Sequence, residues 1–203
     1  MTSTPTAIAN GTDSSISDLE LTRGVAEGDE AALRALVERL LDRVRRMSSY
    51  LAGSGPDAED ITQLALIRIL RSAASFRGDS TLEFWADRIT VHAATKEFEK
   101  RSRRSHLFRH WWSAPAPLPG LEEVEDSRRI RTGLAAALGK LSPDNRTAMV
   151  LHYFYGHDVS RAAEIIDVPV NTVRGRLRSG RRHLKRLMFA DPLLRQWIAE
   201  RIP

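Results

Sequence analysis

The sequence predicts an all-α protein: two small helical domains joined by an extended linker, the second carrying a helix-turn-helix. Three observations carry that expectation. Apolar residues recur at helical spacing through most of the chain, and no stretch alternates with period two. The segment from Ser105 to Asp126 breaks the pattern with Pro115, Pro117, Pro119 and Gly120, followed by Glu122, Glu123, Glu125 and Asp126. From Asp158 to Arg186 the chain reads DVSRAAEIIDVPVNTVRGRLRSGRRHLKR, a short helix, a tight turn and a helix loaded with arginine.

The elements follow in order. Residues 1–17 are small and polar, and disorder is expected there. The first domain is expected over 18–104. Leu33, Leu36, Val37, Leu40, Val44, Met47 and Leu51 predict one long amphipathic helix, ended by Gly53, Gly55 and Pro56. Asp57 is the expected cap of the next helix, with Asp60 in its first turn and Ile61, Leu64, Ile67 and Leu70 on its buried side. Phe76-Arg77-Gly78-Asp79-Ser80 has turn chemistry. Ser80 or Thr81 then caps a helix with Leu82, Trp85, Ile89 and Ala93 on one face, which becomes cationic toward Lys96, Lys100, Arg101, Arg103 and Arg104.

Residues 105–126 form the expected linker, with Trp111 and Trp112 packing back on a domain. The second domain is expected over 127–190. Ile130, Leu134, Leu138 and Leu141 make an apolar stripe, and Ser142-Pro143 is a helix start. Met149, Val150, Tyr153 and Phe154 face the core, and Gly156 ends that helix. Asp158 caps the helix of Ala162, Ala163, Ile165 and Ile166, Asp167-Val168-Pro169 turns the chain, and Val170 to Arg186 is the basic helix. Residues 191–203 carry Leu193, Leu194, Trp197 and Ile198, an extension that either completes the core or docks elsewhere.

Charge is distributed unevenly. The 203 residues carry a formal net charge of +5. From Ser127 to Ala190 there are thirteen Lys/Arg against four Asp/Glu, whereas Leu19 to Arg104 has fifteen against fourteen. A basic second domain beside a near-neutral first one points to nucleic acid as the partner of the second. There are no cysteines, which excludes disulfides and zinc-thiolate sites and fits a reducing cytoplasm. No apolar run approaches a membrane span, so direct membrane insertion is not expected.

A helix in the major groove turns its N-terminal residues to base edges and its flanks to phosphates. Asn171 and Thr172 stand at that end, suited to an adenine and to a thymine methyl or phosphate. Arg174 and Arg178, one turn apart, can each read a guanine. Arg176, Arg181, Arg182 and Lys185 suit phosphates, while Gly175 and Gly180 leave room for close backbone approach. Val173, Leu177 and Leu184 keep the opposite face in the core.

No phosphate-cradling loop, nucleophile motif or metal-ligand cluster is legible, so neither an enzyme nor a cofactor is expected. His106 and His110 have helical spacing but no third ligand nearby.

Across Leu19 to Leu187 the chain resembles a bacterial sigma factor of the extracytoplasmic-function class. Two ordered blocks carry the resemblance. Asp57-Ala58-Glu59-Asp60-Ile61-Thr62-Gln63 is similar to the family's segment for the clamp helices of RNA polymerase, with Phe76-Arg77-Gly78, Phe84, Trp85 and Arg88-Ile89 following. Leu141-Ser142-Pro143 through Leu187 is similar to the family's promoter-reading helix-turn-helix.

The resemblance implies that Asp57, Glu59, Asp60 and Gln63 meet core RNA polymerase. It implies that the loop holding Phe76 and Arg77, followed by Arg88, His92, Lys96, Lys100 and Arg101, binds the melting minus-ten element of promoter DNA. Phe76 either lines the pocket for an extruded base or belongs to the core. The second domain would read the minus-thirty-five element, and an anti-sigma factor would hold the protein inactive until a signal arrives. His92 and Lys96 stand where the family usually has Asn and often has Asp, which bears on the minus-ten sequence chosen, and Leu64 stands where the family commonly has Glu, just after the Gln. Asp167 replaces a usual turn Gly and Ala162 a usual Ile. The rival reading is a stand-alone helix-turn-helix regulator, which leaves the block from Asp57 to Gln63 without a purpose.

Overall fold

The computed structural model describes residues 17–53, 55–104, 133, 136–188 and 195. The expectations for residues 1–16, the linker with Trp111 and Trp112, His106 and His110, Ile130 and Leu134 lie outside the described residues, as do those for Leu193, Leu194, Trp197 and Ile198. The described residues contain helices and turns and no strand.

The first domain is a four-helix assembly. Helix α1 spans Asp18–Glu27 and opens with a reciprocal capping box: Glu20 N–H donates to Ser17 Oγ (3.2 Å), and Ser17 N–H donates to Glu20 Oε2 (3.0 Å). The Ser17 hydrogen bonds hold the Glu20 carboxyl below its ordinary value. Gly28, at φ 86°, turns the chain into α2, Glu30–Ala52, capped by Asp29 through the N–H of Ala31 (2.8 Å). Helix α3 spans Pro56–Arg71. Its cap is Gly55, with Pro56 at the first helical position, so Asp57 lies inside the first turn rather than at the expected cap. A 3-10 turn at Ala73–Ser75 leads to α4, Leu82–Arg104, where Thr81 Oγ1 accepts from Phe84 N–H (3.2 Å). Leu36, Leu40, Ala65, Ile69, Leu82, Ala86 and Ala93 form the sealed centre of this domain.

In the second domain, helical backbone at 136–139 precedes α5, Pro143–Met149, which is capped by Ser142. The next five residues, Val150–Phe154, are wound as a π turn. This wider turn rotates the side chains that follow. Leu151 is therefore fully buried, and Tyr153, expected in the core, is 40% exposed. Helix α6 spans Val159–Ile166, capped by Asp158 through Arg161 N–H (2.8 Å). Asp167 takes the left-handed conformation (φ 59°, ψ 53°) and α7 runs over Val170–Met188. Val173, Leu177 and Leu184 are buried as expected.

The two domains share one apolar cluster. Met47, Leu51, Ile61, Val91 and Ala94 of the first pack with Leu138, Leu151, Ala163 and Ile165 of the second. The contact sets α4 directly against α6.

Candidate nucleic-acid interface

Helix α7 is a basic rod with one buried edge. Asn171, Thr172, Arg174, Gly175, Arg178, Arg181 and Arg182 are all exposed. The N-terminal group is pre-arranged: Arg174 Nη1 donates to Asn171 Oδ1 at 3.1 Å, so the two polar ends stand side by side. Arg176 is placed differently. Its Nη2 donates to Asp144 Oδ2 at 2.8 Å and its side chain is only 18% exposed, which ties α7 to α5. A phosphate would have to compete with that carboxylate, so Arg176 serves the packing of two helices here.

The two glycines of α7 have separate roles. A Cβ at Gly175 would meet nothing within 4 Å, consistent with an open approach to DNA. A Cβ at Gly180 would stand 2.8 Å from Met149 Cγ, so that glycine admits the neighbouring helix, not DNA. Asn145 Nδ2 donates to Ser179 Oγ (3.2 Å) along the same seam. In α5 itself Arg146 is buried, and burial pulls its guanidinium down to about 10.

On the first domain, Glu59, Asp60 and Gln63 are exposed along α3 and Asp57 is half-buried. Ile67, expected inside, is 46% exposed. The buried edge of α3 runs through Ala58, Ile61, Thr62, Ala65 and Ile69. Ile67 therefore falls one turn beyond Gln63 and gives the acidic face an apolar member. The mixed spacing of Leu64, Ala65, Ile67 and Ile69 allows either rotation of the helix, and only packing chooses between them.

The minus-ten candidates divide. Arg77, Arg88, Lys96 and Lys100 are exposed, and Lys100 lies 3.6 Å from Glu97. Arg101 belongs to α4, but its side chain lies outside the described residues. Phe76 is 7% exposed and packs edge-on against Trp85, ring centroids 5.4 Å apart. The core alternative holds for Phe76, because its ring is spent on sealing the loop against α4. His92 is half-buried, with Nε2 donating to the Ile165 carbonyl at 3.0 Å. It meets the second domain instead of presenting an open edge.

The contact between the domains has a polar centre that no linear pattern announces. Asp87 is buried and accepts two hydrogen bonds from Arg43, Nε to Oδ1 at 2.7 Å and Nη2 to Oδ2 at 2.6 Å. From the other domain, His157 Nε2 donates to Asp87 Oδ2 at 2.7 Å. Tyr155 Oη donates to the Arg43 carbonyl at 3.1 Å, and its ring lies 4.9 Å from the Arg43 guanidinium. Burial pushes the Arg43 guanidinium down, but hydrogen bonding to Asp87 and the charge of that carboxylate outweigh it and hold Arg43 above its ordinary value. Burial pushes the Tyr155 phenol well up. Phe84 sits between His157 (5.7 Å, edge-on) and the guanidinium of Arg161 (4.5 Å).

A basic recognition helix behind a capped helix and a left-handed turn, fused to a second helical domain with an acidic exposed face, defines a two-domain DNA-reading protein. The chain matches sigma-70 region 2 over residues 36–104 and sigma-70 region 4 over residues 131–184. It belongs to the sigma-70 family, in the extracytoplasmic-function class. It is 34% identical over 165 residues to the ECF RNA polymerase sigma factor SigE of Mycolicibacterium smegmatis, covering 79% of this chain and 64% of that relative. It is 29% identical to the ECF RNA polymerase sigma-E factor of Escherichia coli K12, over 89% of this chain and 98% of the relative.

The fold is that of two solved structures. One is RpoE bound to the anti-sigma factor NepR from Bartonella quintana (TM-score 0.64, 22% identity, covering 78% of this chain and 97% of that one). The other is CnrH bound to the cytosolic domain of CnrY (TM-score 0.59, 23% identity, covering 86% and 98%).

Proposed function

We propose that this protein binds core RNA polymerase and directs it to a specific set of promoters, itself catalysing no reaction. The observation that carries the reading is the pairing of an exposed Asn171–Arg178 reading edge with a separate acidic face on α3. Glu59, Asp60 and Gln63, with Ile67 beside them, suit a partner that offers cations around an apolar contact. Neither surface explains the other unless one molecule must hold a protein and a DNA at once.

The division of labour follows from the side chains. Asn171, Thr172, Arg174 and Arg178 read base edges of the minus-thirty-five duplex, and Arg181 and Arg182 hold its phosphates. Arg77, Arg88, Lys96, Lys100 and Arg101 hold the separated minus-ten strand. Extruding a base costs a few kcal/mol, which the loop at 76–80 offsets by enclosing it. With Phe76 used in the core, the loop backbone and Arg77 carry that contact. His92 joins this surface when the domains separate. The protein works in the cytoplasm, where polymerase and promoter are found. One similar structure, RpoE of Bartonella quintana, was captured with an anti-sigma factor, and we infer a partner of that kind here, releasing the factor on a signal.

Core polymerase supplemented with the protein should open and transcribe a cognate promoter in a run-off assay. Arg174→Ala and Arg178→Ala should each weaken discrimination at one base pair by about 1–3 kcal/mol, with binding to core polymerase retained. Tight duplex binding without polymerase association would instead establish the stand-alone regulator.

A further inference from the structure

We infer that Asp87, Arg43, His157 and Tyr155 form a latch that holds the free protein closed, with the second domain covering part of the minus-ten surface. The inference rests on the assignment of α4 to the minus-ten strand, and it adds a regulatory contact internal to the chain.

The chemistry of the latch is one-centred. Asp87 is a buried carboxylate whose Oδ1 is taken by Arg43 and whose Oδ2 is shared by Arg43 and His157. Arg43 reaches it from α2 of the same domain, so the first domain places the anion before the second arrives. His157 and Tyr155 then come from the single segment that follows the π turn. One donates to the anion, and the other donates to the carbonyl of the residue that orients it. With the second domain in place Asp87 is buried and His157 supplies its third hydrogen bond, whereas opening replaces that donor with water. Around this centre Phe84 meets His157 edge-on and lies under Arg161, and Tyr50 meets Phe154 at 4.6 Å between ring centroids.

Closure is incompatible with promoter reading on distance alone. Elements at minus ten and minus thirty-five lie about 25 base pairs apart, roughly 85 Å at 3.4 Å per base pair. In the closed form His92 of the minus-ten helix donates to Ile165, six residues before Asn171 of the reading helix. Six residues of chain span at most about 22 Å. The two reading surfaces are thus a few tens of ångströms apart at most, and one closed molecule cannot engage both elements. The recognition helix stays exposed in this state while His92 does not, so among the described minus-ten candidates the latch withholds His92.

The chain has no cysteine, so a pair introduced at the exposed Ala74 and Lys140 can be labelled cleanly with a donor and acceptor dye. Single-molecule energy transfer is read in the free full-length protein, in His157→Ala and in Tyr155→Phe. The second variant keeps the ring over Arg43 and removes only the hydroxyl. Wild type should populate mainly a high-transfer state. His157→Ala should lower the closed-to-open ratio about tenfold or more, and Tyr155→Phe by a smaller factor. Circular dichroism identifies any variant that has failed to fold. A low-transfer wild type overturns the latch, and so does unchanged high transfer in both folded variants. Titration with core polymerase separates the two readings. Polymerase that leaves transfer unchanged because it does not bind overturns the assigned function, while the free-protein comparison still decides the latch.

Discussion

Gly175 and Gly180 occupy neighbouring turns of one helix, and their surroundings give them opposite stakes. At Gly175 nothing lies within 4 Å of an added Cβ, so Gly175→Ala should raise the stability of the free protein by up to about 1 kcal/mol, the helix-propensity difference. At Gly180 the added carbon would meet Met149 Cγ at 2.8 Å and Sδ at 3.0 Å, and Met149 is itself buried. Overpacking of this kind costs about 1–3 kcal/mol, which offsets or exceeds the propensity gain. Urea unfolding of the two variants should therefore move the midpoint in opposite directions, and a rise for Gly180→Ala would show that Met149 can yield. Both glycines read in the sequence as openings toward DNA. Only the neighbour across the seam distinguishes them, and Met149 is thirty-one residues away along the chain.

At the scale of elements, caps and turns were largely legible. Ser142-Pro143, Thr81 and Asp158 each perform the capping expected of them. Ser17-Asp18-Leu19-Glu20 is a capping box written plainly in the sequence, and it starts a helix that the apolar pattern does not reveal because α1 buries only Leu21 and Thr22. The turn between α6 and α7 makes a sharper demand. Asp167 sits at φ 59°, where a short polar side chain is tolerated and a β-branched one is not. Asp167→Val should cost at least about 1–2 kcal/mol and lower duplex affinity by misplacing α7, whereas Asp167→Gly should preserve binding. Thermal melting and fluorescence anisotropy on a promoter duplex measure the two effects. The π turn at Val150–Phe154 has no comparable signal: Met149, Val150, Tyr153 and Phe154 fit an ordinary helical face, and the burial of Leu151 is what rotates Tyr153 outward.

For the whole molecule, charge and contact set the behaviour. The basic second domain should bind duplex DNA with strong salt dependence, since each phosphate neutralised contributes about 0.9 to the slope of log affinity against log salt. Arg181→Ala and Arg182→Ala should each reduce that slope by about one unit across sequences, with little change in base preference, whereas Arg176→Ala should leave it nearly unchanged because Asp144 already holds that side chain. Anisotropy titrations at several potassium concentrations separate these outcomes. Among the described residues no helix is long and apolar enough to cross a membrane.

The sequence by itself determined the all-helical class, the two matching blocks and the basic helix of the second domain, because helical periodicity, capping residues and clustered arginines are local signals. Tertiary structure decided which face of α3 is open, that Phe76 is core, that Arg176 belongs to Asp144 and that His92 meets Ile165. It alone assembled Asp87, Arg43, His157 and Tyr155, whose partners lie 44 to 112 residues apart. A buried carboxylate chooses its donors by where three separate elements pack, and that choice leaves no periodic trace along the chain.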